Sequence, residues 1–293
     1  MDTVAARKAR VAALKAQVEA RLRTIAPPRR DGLPGALHHA LATPGKRLRP
    51  LLVLLVATQL GAEAEAALDA ACAVELVHAA SLVLDDLPCM DDATLRRGEP
   101  CVHLKFGEDI AVLAGVALLN QAFWLVTRAA HMPADLRLEM VGDLTAAVGL
   151  DGLVSGQEMD LHDRNTGLNE LREAHHRKTG VLFMAAAALG GRLGGASPAE
   201  RLALDAFATE LGLAFQARDD VSDALEAEPV AGGAAMRKTL ISHLGAGGAA
   251  DEADHRLQAA RQALRGGGGR LDPLAAYLDL LLGAPARVTE AAT

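Results

Sequence analysis

Aromatic residues are almost missing from this 293-residue chain: one tryptophan, one tyrosine and five phenylalanines, 2% in all. That scarcity removes the stacking platforms used to hold single-stranded nucleic acid. A formal net charge of −7 removes the basic face that a duplex requires, so no nucleic-acid partner is expected. Cysteine is scarce too. Cys72, Cys89 and Cys101 are odd in number and lack the paired spacing of a zinc ribbon or redox motif, which points to reduced thiols in the cytoplasm. Long hydrophobic runs are also absent: LLVLLVA (51–57) falls well short of the roughly 20 residues of a membrane span. The first thirty residues alternate charges with alanine and valine, so neither a secretory signal nor an anchor is visible, and a soluble protein with no membrane span is expected.

What is present is alanine and leucine, with apolar positions recurring every three or four residues, the pattern of a helical protein. Val11, Leu14, Val18 and Leu22 form one apolar stripe within residues 7–22. The stretch AALDAACAVELVHAASLVL (66–84) is apolar nearly all round and belongs at the centre of a bundle. Breaks are expected at 26–35, 43–45, around Pro88, and at 191–198, 228–233, 245–250 and 265–270, where glycine and proline cluster. None resembles a domain linker, so the expectation is all-α, with residues 1–293 as a single domain.

The stretch SLVLDDLPCMDDATLRRG (81–98) places Asp85, Asp86, Asp91 and Asp92 directly after that apolar helix. Two like charges about 4 Å apart repel by roughly 1 kcal/mol in water and about 4 kcal/mol at an effective dielectric of 20, so such a cluster calls for a cation. A second cluster, FQARDDVSD (215–223), puts Asp219 and Asp223 one helical turn apart with Asp220 beside them. Carboxylates on helices of a bundle make a hard oxygen site suited to magnesium, whose remaining positions take water and phosphate oxygens. The implied substrate carries a diphosphate. Lys46, Arg47 and Arg49 in GKRLRP, Arg96 and Arg97 in LRRG, and Lys178 and Thr179 in RKTG would supply the other half of an anion clamp. GKRLRP lacks the glycine framework of a P-loop.

With GKRLRP, LVHAASLVLDDLPCMDD, LRRG, GLVSGQEMDL, RKTG and FQARDDVSD in this order, the chain resembles the trans-isoprenyl diphosphate synthases, and among them the bacterial geranylgeranyl diphosphate synthases of carotenoid pathways. The resemblance implies the isoprenoid synthase fold, an orthogonal bundle of long helices around a deep central cavity. It also implies that isopentenyl diphosphate is held by Lys46, Arg47 or Arg49, His78 and Arg97. Magnesium, three ions with substrate bound, would bridge the allylic diphosphate to Asp85, Asp86 and Asp91 and to Asp219, Asp220 and Asp223. Arg96, Lys178, Thr179 and Gln216 would contact the allylic substrate, Lys238 would join the substrate-binding set, and Lys178, Asp85 and Asp219 would be the catalytic residues. His78 lies two helical turns before Asp85 and so shares its face.

In proteins of this kind the growing tail runs beside the helix that bears the first acidic motif. Ser81 and Ala80, four and five residues before Asp85, would therefore set product length. The methyl group of Ala80 leaves room for a twenty-carbon product, with farnesyl diphosphate as the alternative. The family implies a homodimer. The chain departs from the pattern after residue 223, where ALEAEPVAGGAAMRKTLISHLG keeps Lys238 and Thr239 but lacks a Gly-Lys pair. Two rival readings are weaker: a terpene cyclase would not need GKRLRP with His78 and Arg97, and a non-catalytic partner of another synthase would be expected to lose one aspartate cluster.

Overall fold

A computed structural model describes residues 3–162, 167–226 and 239–282, and for 223–226 the backbone only. Lys238 and the side chain of Asp223 therefore lie outside the described residues, as does the stretch that lacks the Gly-Lys pair. The fold is nearly all helical: α1 (Val4–Ile25), α2 (Gly32–Ala42), α3 (Leu48–Gln59), α4 (Ala64–Asp85), α5 (Val102–Phe106), α6 (Glu108–Arg128), α7 (Ala134–Val148), α8 (Leu153–Leu161), α9 (Leu168–His175), α10 (Val181–Leu193), α11 (Pro198–Glu226), α12 (Leu240–Gly266) and α13 (Leu278–Leu282). A π turn, His176–Gly180, joins α9 to α10, and a 3₁₀ segment, Asp272–Tyr277, precedes α13. The all-α expectation holds, and beside the helices β1 (Leu95–Arg96) and β2 (Glu99–Pro100) pair as one short antiparallel hairpin. Arg97 and Gly98 turn it with φ of 54° and 82°, the two positive values a tight primed turn requires.

The chain divides into two compact units, residues 1–145 with 188–195, and residues 146–187 with 196–293. In the first, α3 is buried along its length from Leu48 to Ala57, and α4 packs on it and on α6. Close approach explains two glycines: a Cβ on Gly115 of α6 would stand 2.8 Å from the Leu84 side chain, and one on Gly190 of α10 would stand 2.7 Å from the Val53 carbonyl. The stripe expected on α1 is buried at Leu14, Val18 and Leu22. By length and apolarity α4 and α6 could each cross a membrane, although no continuous apolar run in the chain is that long. The relevant window of α4 is 72% buried, as befits a core helix, against 39% for α6.

In the second unit α11 and α12 pack along their lengths around Leu171, Ala217, Val221, Leu240, Ala249 and Ala253. Ser197 and Glu200 cap α11 reciprocally, each backbone N–H reaching the other's side chain at 2.7 and 3.2 Å, with Pro198 in the first helical position. The breaks at 26–35 and 245–250 are shorter than expected. Pro34 falls in the first turn of α2, where its missing N–H costs nothing, and the break in α12 is a kink at Gly245 (φ 72°, ψ 168°) that divides it into two helical pieces.

Candidate functional site

α4 ends in Asp85 and Asp86, carboxylates at the negative end of a helix with no basic residue in its last turn. The chain then folds back through Leu87–Asp92, and the Asp91 N–H donates to the Asp85 carbonyl at 2.9 Å. This single bond sets two of the expected metal-binding residues side by side. Asp86 is 3% exposed and is taken up by the protein itself. The guanidinium of Arg96 forks it, with Nε 3.0 Å from Oδ1 and Nη2 closing the second prong. Burial works against the charge of Arg96, but the hydrogen bond to Asp86 together with the negative charges of Asp86 and Asp85 raises its pKa overall. The Cys101 thiol, pushed up to about 11 by burial and then by its hydrogen bond to Asp86, stays protonated. The tiny hairpin, missed in the sequence, is what carries Arg96 back to this position.

Two turns earlier on α4, His78 is held well below its ordinary pKa by burial and by the neighbouring charges of Arg49, Arg97, Arg47 and Arg96. It is therefore neutral, within the electrostatic reach of four guanidiniums. Arg97 lies over Gly45, where a Cβ would come within 2.4 Å of its Nη1, so the glycine before Lys46 is the seat of that arginine. Lys46 is exposed and Arg49 is 7% exposed.

Arg47 is oriented differently. Its backbone is left-handed at φ 54°, which turns the side chain inward. There Nη1 donates to Glu75 Oε1 at 2.6 Å, and Nη2 donates to the carbonyls of Leu41 at 2.7 Å and Thr43 at 3.0 Å. Both side chains of the pair are almost wholly buried, at 4% and 3% exposure. The sequence reading overlooked Glu75, although a lone carboxylate in the apolar run AVELVHAA was a signal that some cation must meet it. Ala80 is fully buried and Ser81 half-buried, its hydroxyl donating to the His78 carbonyl at 2.9 Å.

In the second unit RKTG forms most of the π turn. α8 crosses it backbone to backbone: a Cβ on Gly156 would stand 2.3 Å from the Lys178 nitrogen. α11 approaches from another side, where a Cβ on Gly212 would stand 2.7 Å from Gly180 Cα. Lys178 bonds Asp160 of α8 at 2.6 Å. The Thr179 hydroxyl donates to Gln216 Oε1 at 2.9 Å, and Gln216 Nε2 donates to Asp220 Oδ1 at 3.0 Å. Asp219 is half-buried on the adjoining face of α11. His175, at the end of α9, is shifted downward by burial against the pull of Asp220 and Asp160. Asp160 was quoted within GLVSGQEMDL but given no role; the π turn that brings Lys178 to it left no trace in the periodicity.

Among the described residues no three His, Cys, Asp or Glu side chains converge as a metal-binding group. Magnesium does not need such a cage, since one or two carboxylates suffice when phosphate oxygens and water complete the shell. The all-oxygen pair Asp85 and Asp91, fixed on one turn at the negative end of α4, fits that demand.

The sequence profile of the polyprenyl synthetase family matches residues 31–237. A geranylgeranyl diphosphate synthase from Pseudescherichia vulneris is 43% identical over 235 residues, covering 78% of this chain and 73% of that one. A farnesyl diphosphate synthase from Geobacillus stearothermophilus is 39% identical over 240 residues, covering 78% and 81%. Among solved structures, an FPP/GFPP synthase from Zymomonas mobilis superposes with a TM-score of 0.85 at 32% identity, covering 96% of this chain and 100% of that one.

Proposed function

Because this chain belongs to the polyprenyl synthetase family, we propose that it is a trans-prenyltransferase that condenses isopentenyl diphosphate with allylic diphosphates, its product geranylgeranyl diphosphate. The observation that carries this reading is the neutral His78 among Arg49, Arg97, Arg47 and Arg96, on the same helix as Asp85. A diphosphate brings several negative charges, and a bed of fixed guanidiniums is the chemistry that holds it.

In this reading Lys46, Arg49 and Arg97 grip isopentenyl diphosphate, and His78, uncharged, orients it. Arg47 holds the loop from within. Asp85, Asp91, Asp219 and Asp223 are the residues that would hold magnesium. When bound, the metal supplies the positive charge that neutralises a departing diphosphate. Arg96, Lys178, Thr179 and Gln216 contact the allylic substrate. Its carbon–oxygen bond breaks with the electron pair leaving on the diphosphate, and the double bond of isopentenyl diphosphate attacks the allylic cation. A proton is then lost to the released diphosphate, and the chain is five carbons longer. No protein nucleophile takes part. A wall of alanine, leucine and valine offers nothing to trap the cation and excludes water.

The small Ala80 favours twenty carbons. A fifteen-carbon product is the second reading, favoured by the likeness to the Geobacillus farnesyl diphosphate synthase. α6 exposes Val112, Leu113, Val116 and Trp124 at 44–60%, an apolar face that suits burial against a second copy in a homodimer. A cytoplasmic enzyme feeding carotenoid synthesis completes the proposal. Release of inorganic pyrophosphate from each allylic primer when isopentenyl diphosphate is supplied, lost on chelating magnesium and regained on its return, tests the reaction class. A chain that releases none in the presence of magnesium is not this enzyme.

A further inference from the structure

A cavity of about 490 Å³ opens between the end of α1, the last turns of α2 and the loop that leads into GKRLRP. That volume lies in the range of small-molecule sites, roughly 300–1,000 Å³. Leu22, Ala26, Pro28, Leu41, Ala42 and Pro44 give it an aliphatic wall. The polar part of the lining is mostly cationic. Arg23 stands exposed in the last turn of α1, and Arg29 folds back to donate to the carbonyl of its neighbour Pro28 at 3.1 Å. His38 is half-buried, with Nδ1 donating to the Ala26 carbonyl at 2.9 Å. Glu19 is the one carboxylate among the described lining residues, and Lys15 stands 3.9 Å from it.

Arg47 lines the same cavity and ties it to the site already described. Its Nη2 holds the carbonyls of Leu41 and Thr43. The segment that walls the cavity at Leu41, Ala42 and Pro44 therefore runs straight into Gly45, the seat of Arg97, and into Lys46. Nη1 is taken by Glu75, while the buried Nε meets no acceptor. The positive charge of Arg47 is felt as far as His78. An anion set against Arg47 from the cavity would weaken the positive field that draws a diphosphate to Arg49 and Arg97.

We propose that this cavity is a regulatory site for an aliphatic anion, a hydrocarbon chain ending in a phosphate or a carboxylate, whose binding raises the KM for isopentenyl diphosphate. The chain lies on the aliphatic wall, and the head is drawn to Arg23 and Arg47. An amphiphile suits the cavity better than a bare ion, because six of the ten described residues that line it offer only carbon. A negative head suits it better than a positive one, because Glu19 already has Lys15 beside it and Arg23 has no such partner. The effect on KM rests on the prenyl-transfer reading above; the binding site does not.

Calorimetric titration of the full-length protein with decyl phosphate and with decanoate tests the site, with decanol as the uncharged control. At least one anion should bind with a Kd of about 0.1 mM, and decanol about tenfold more weakly. The ratio of the two anion affinities identifies the head group that the site prefers. Ala42→Trp, at an exposed position on the wall, should fill the cavity and abolish binding with Tm held within about 2 °C. Arg23→Glu should weaken binding by about tenfold or more. In steady-state assays the preferred anion at saturation should raise the KM for isopentenyl diphosphate about fivefold with kcat unchanged, and Ala42→Trp should not respond. By linkage, isopentenyl diphosphate should weaken the anion by the same factor in calorimetry. Absence of binding by both anions, or binding that survives both variants, would overturn the site. Binding that leaves KM unchanged would overturn its regulatory role. Failure of the prenyl-transfer reading is seen separately, as a wild-type protein that elongates no primer, and the calorimetric comparison does not depend on turnover.

Discussion

Replacing Glu75 by leucine strands the Arg47 guanidinium in a site where both partners are almost wholly buried, at 4% and 3% exposure. Removing one member of a buried pair costs about 3–5 kcal/mol, because the remaining charge keeps no counter-ion and no water, only the carbonyls of Leu41 and Thr43. For a chain of this size that corresponds to a fall in Tm of about 6–10 °C, at about 2 °C per kcal/mol. Arg47→Met should cost as much or more, since the carbonyls of Leu41 and Thr43 lose their donor as well. The double variant Arg47→Met with Glu75→Leu exchanges an ion pair for apolar packing and should recover most of the loss. Differential scanning fluorimetry and calorimetry on the four proteins read this directly. A double variant whose Tm falls by the sum of the single changes would refute the ion pair as the source of the cost. The same proteins decide what Arg47 does for substrate. As a strut behind Lys46 and Arg49, its loss in the refolded double variant should raise the KM for isopentenyl diphosphate by less than about tenfold. A direct contact with diphosphate would instead cost about a hundredfold or more.

Because the folded pKa of His78 is depressed, the unfolded chain takes up a proton near pH 6.5 that the folded chain refuses. Stability from this group is complete above that pH and drains away as pH falls below it, with a slope approaching about 1.4 kcal/mol per unit. His78→Gln should flatten the slope in urea titrations between pH 4.5 and 7, and an unchanged slope would remove His78 as its source. Ala80→Tyr should shift the product from twenty carbons toward fifteen; the same chain-length profile in mass spectrometry would sink the depth reading of that residue. Val116→Glu, on the exposed face of α6, should leave the fold intact and convert a dimer to a monomer in light scattering, and a dimer that persists would place the interface elsewhere.

The helices were legible because they depend on a short-range signal, the periodicity of apolar residues. Arg47 was not. In GKRLRP its side chain looks equivalent to that of Arg49, and only a left-handed backbone angle and a carboxylate 28 residues away distinguish them. The π turn at His176–Gly180 was likewise hidden, since it is shaped by the close approach of Gly156 and Gly212 on other helices. The break expected at 245–250 is present as a kink confined to Gly245, beyond which packing on α11 holds the following glycines in helical form. The hairpin at 95–100 escaped notice for the opposite reason: two residues per strand are too few to show alternation.

The most direct test is the length of what the enzyme makes. Purified protein with magnesium and isopentenyl diphosphate is given dimethylallyl, geranyl and farnesyl diphosphate in turn, and the products are dephosphorylated and resolved by chain length. A twenty-carbon alcohol from all three primers is expected from a trans-prenyltransferase with alanine at position 80. Cyclic hydrocarbon in place of an elongated diphosphate, or no elongation from any primer, would contradict it.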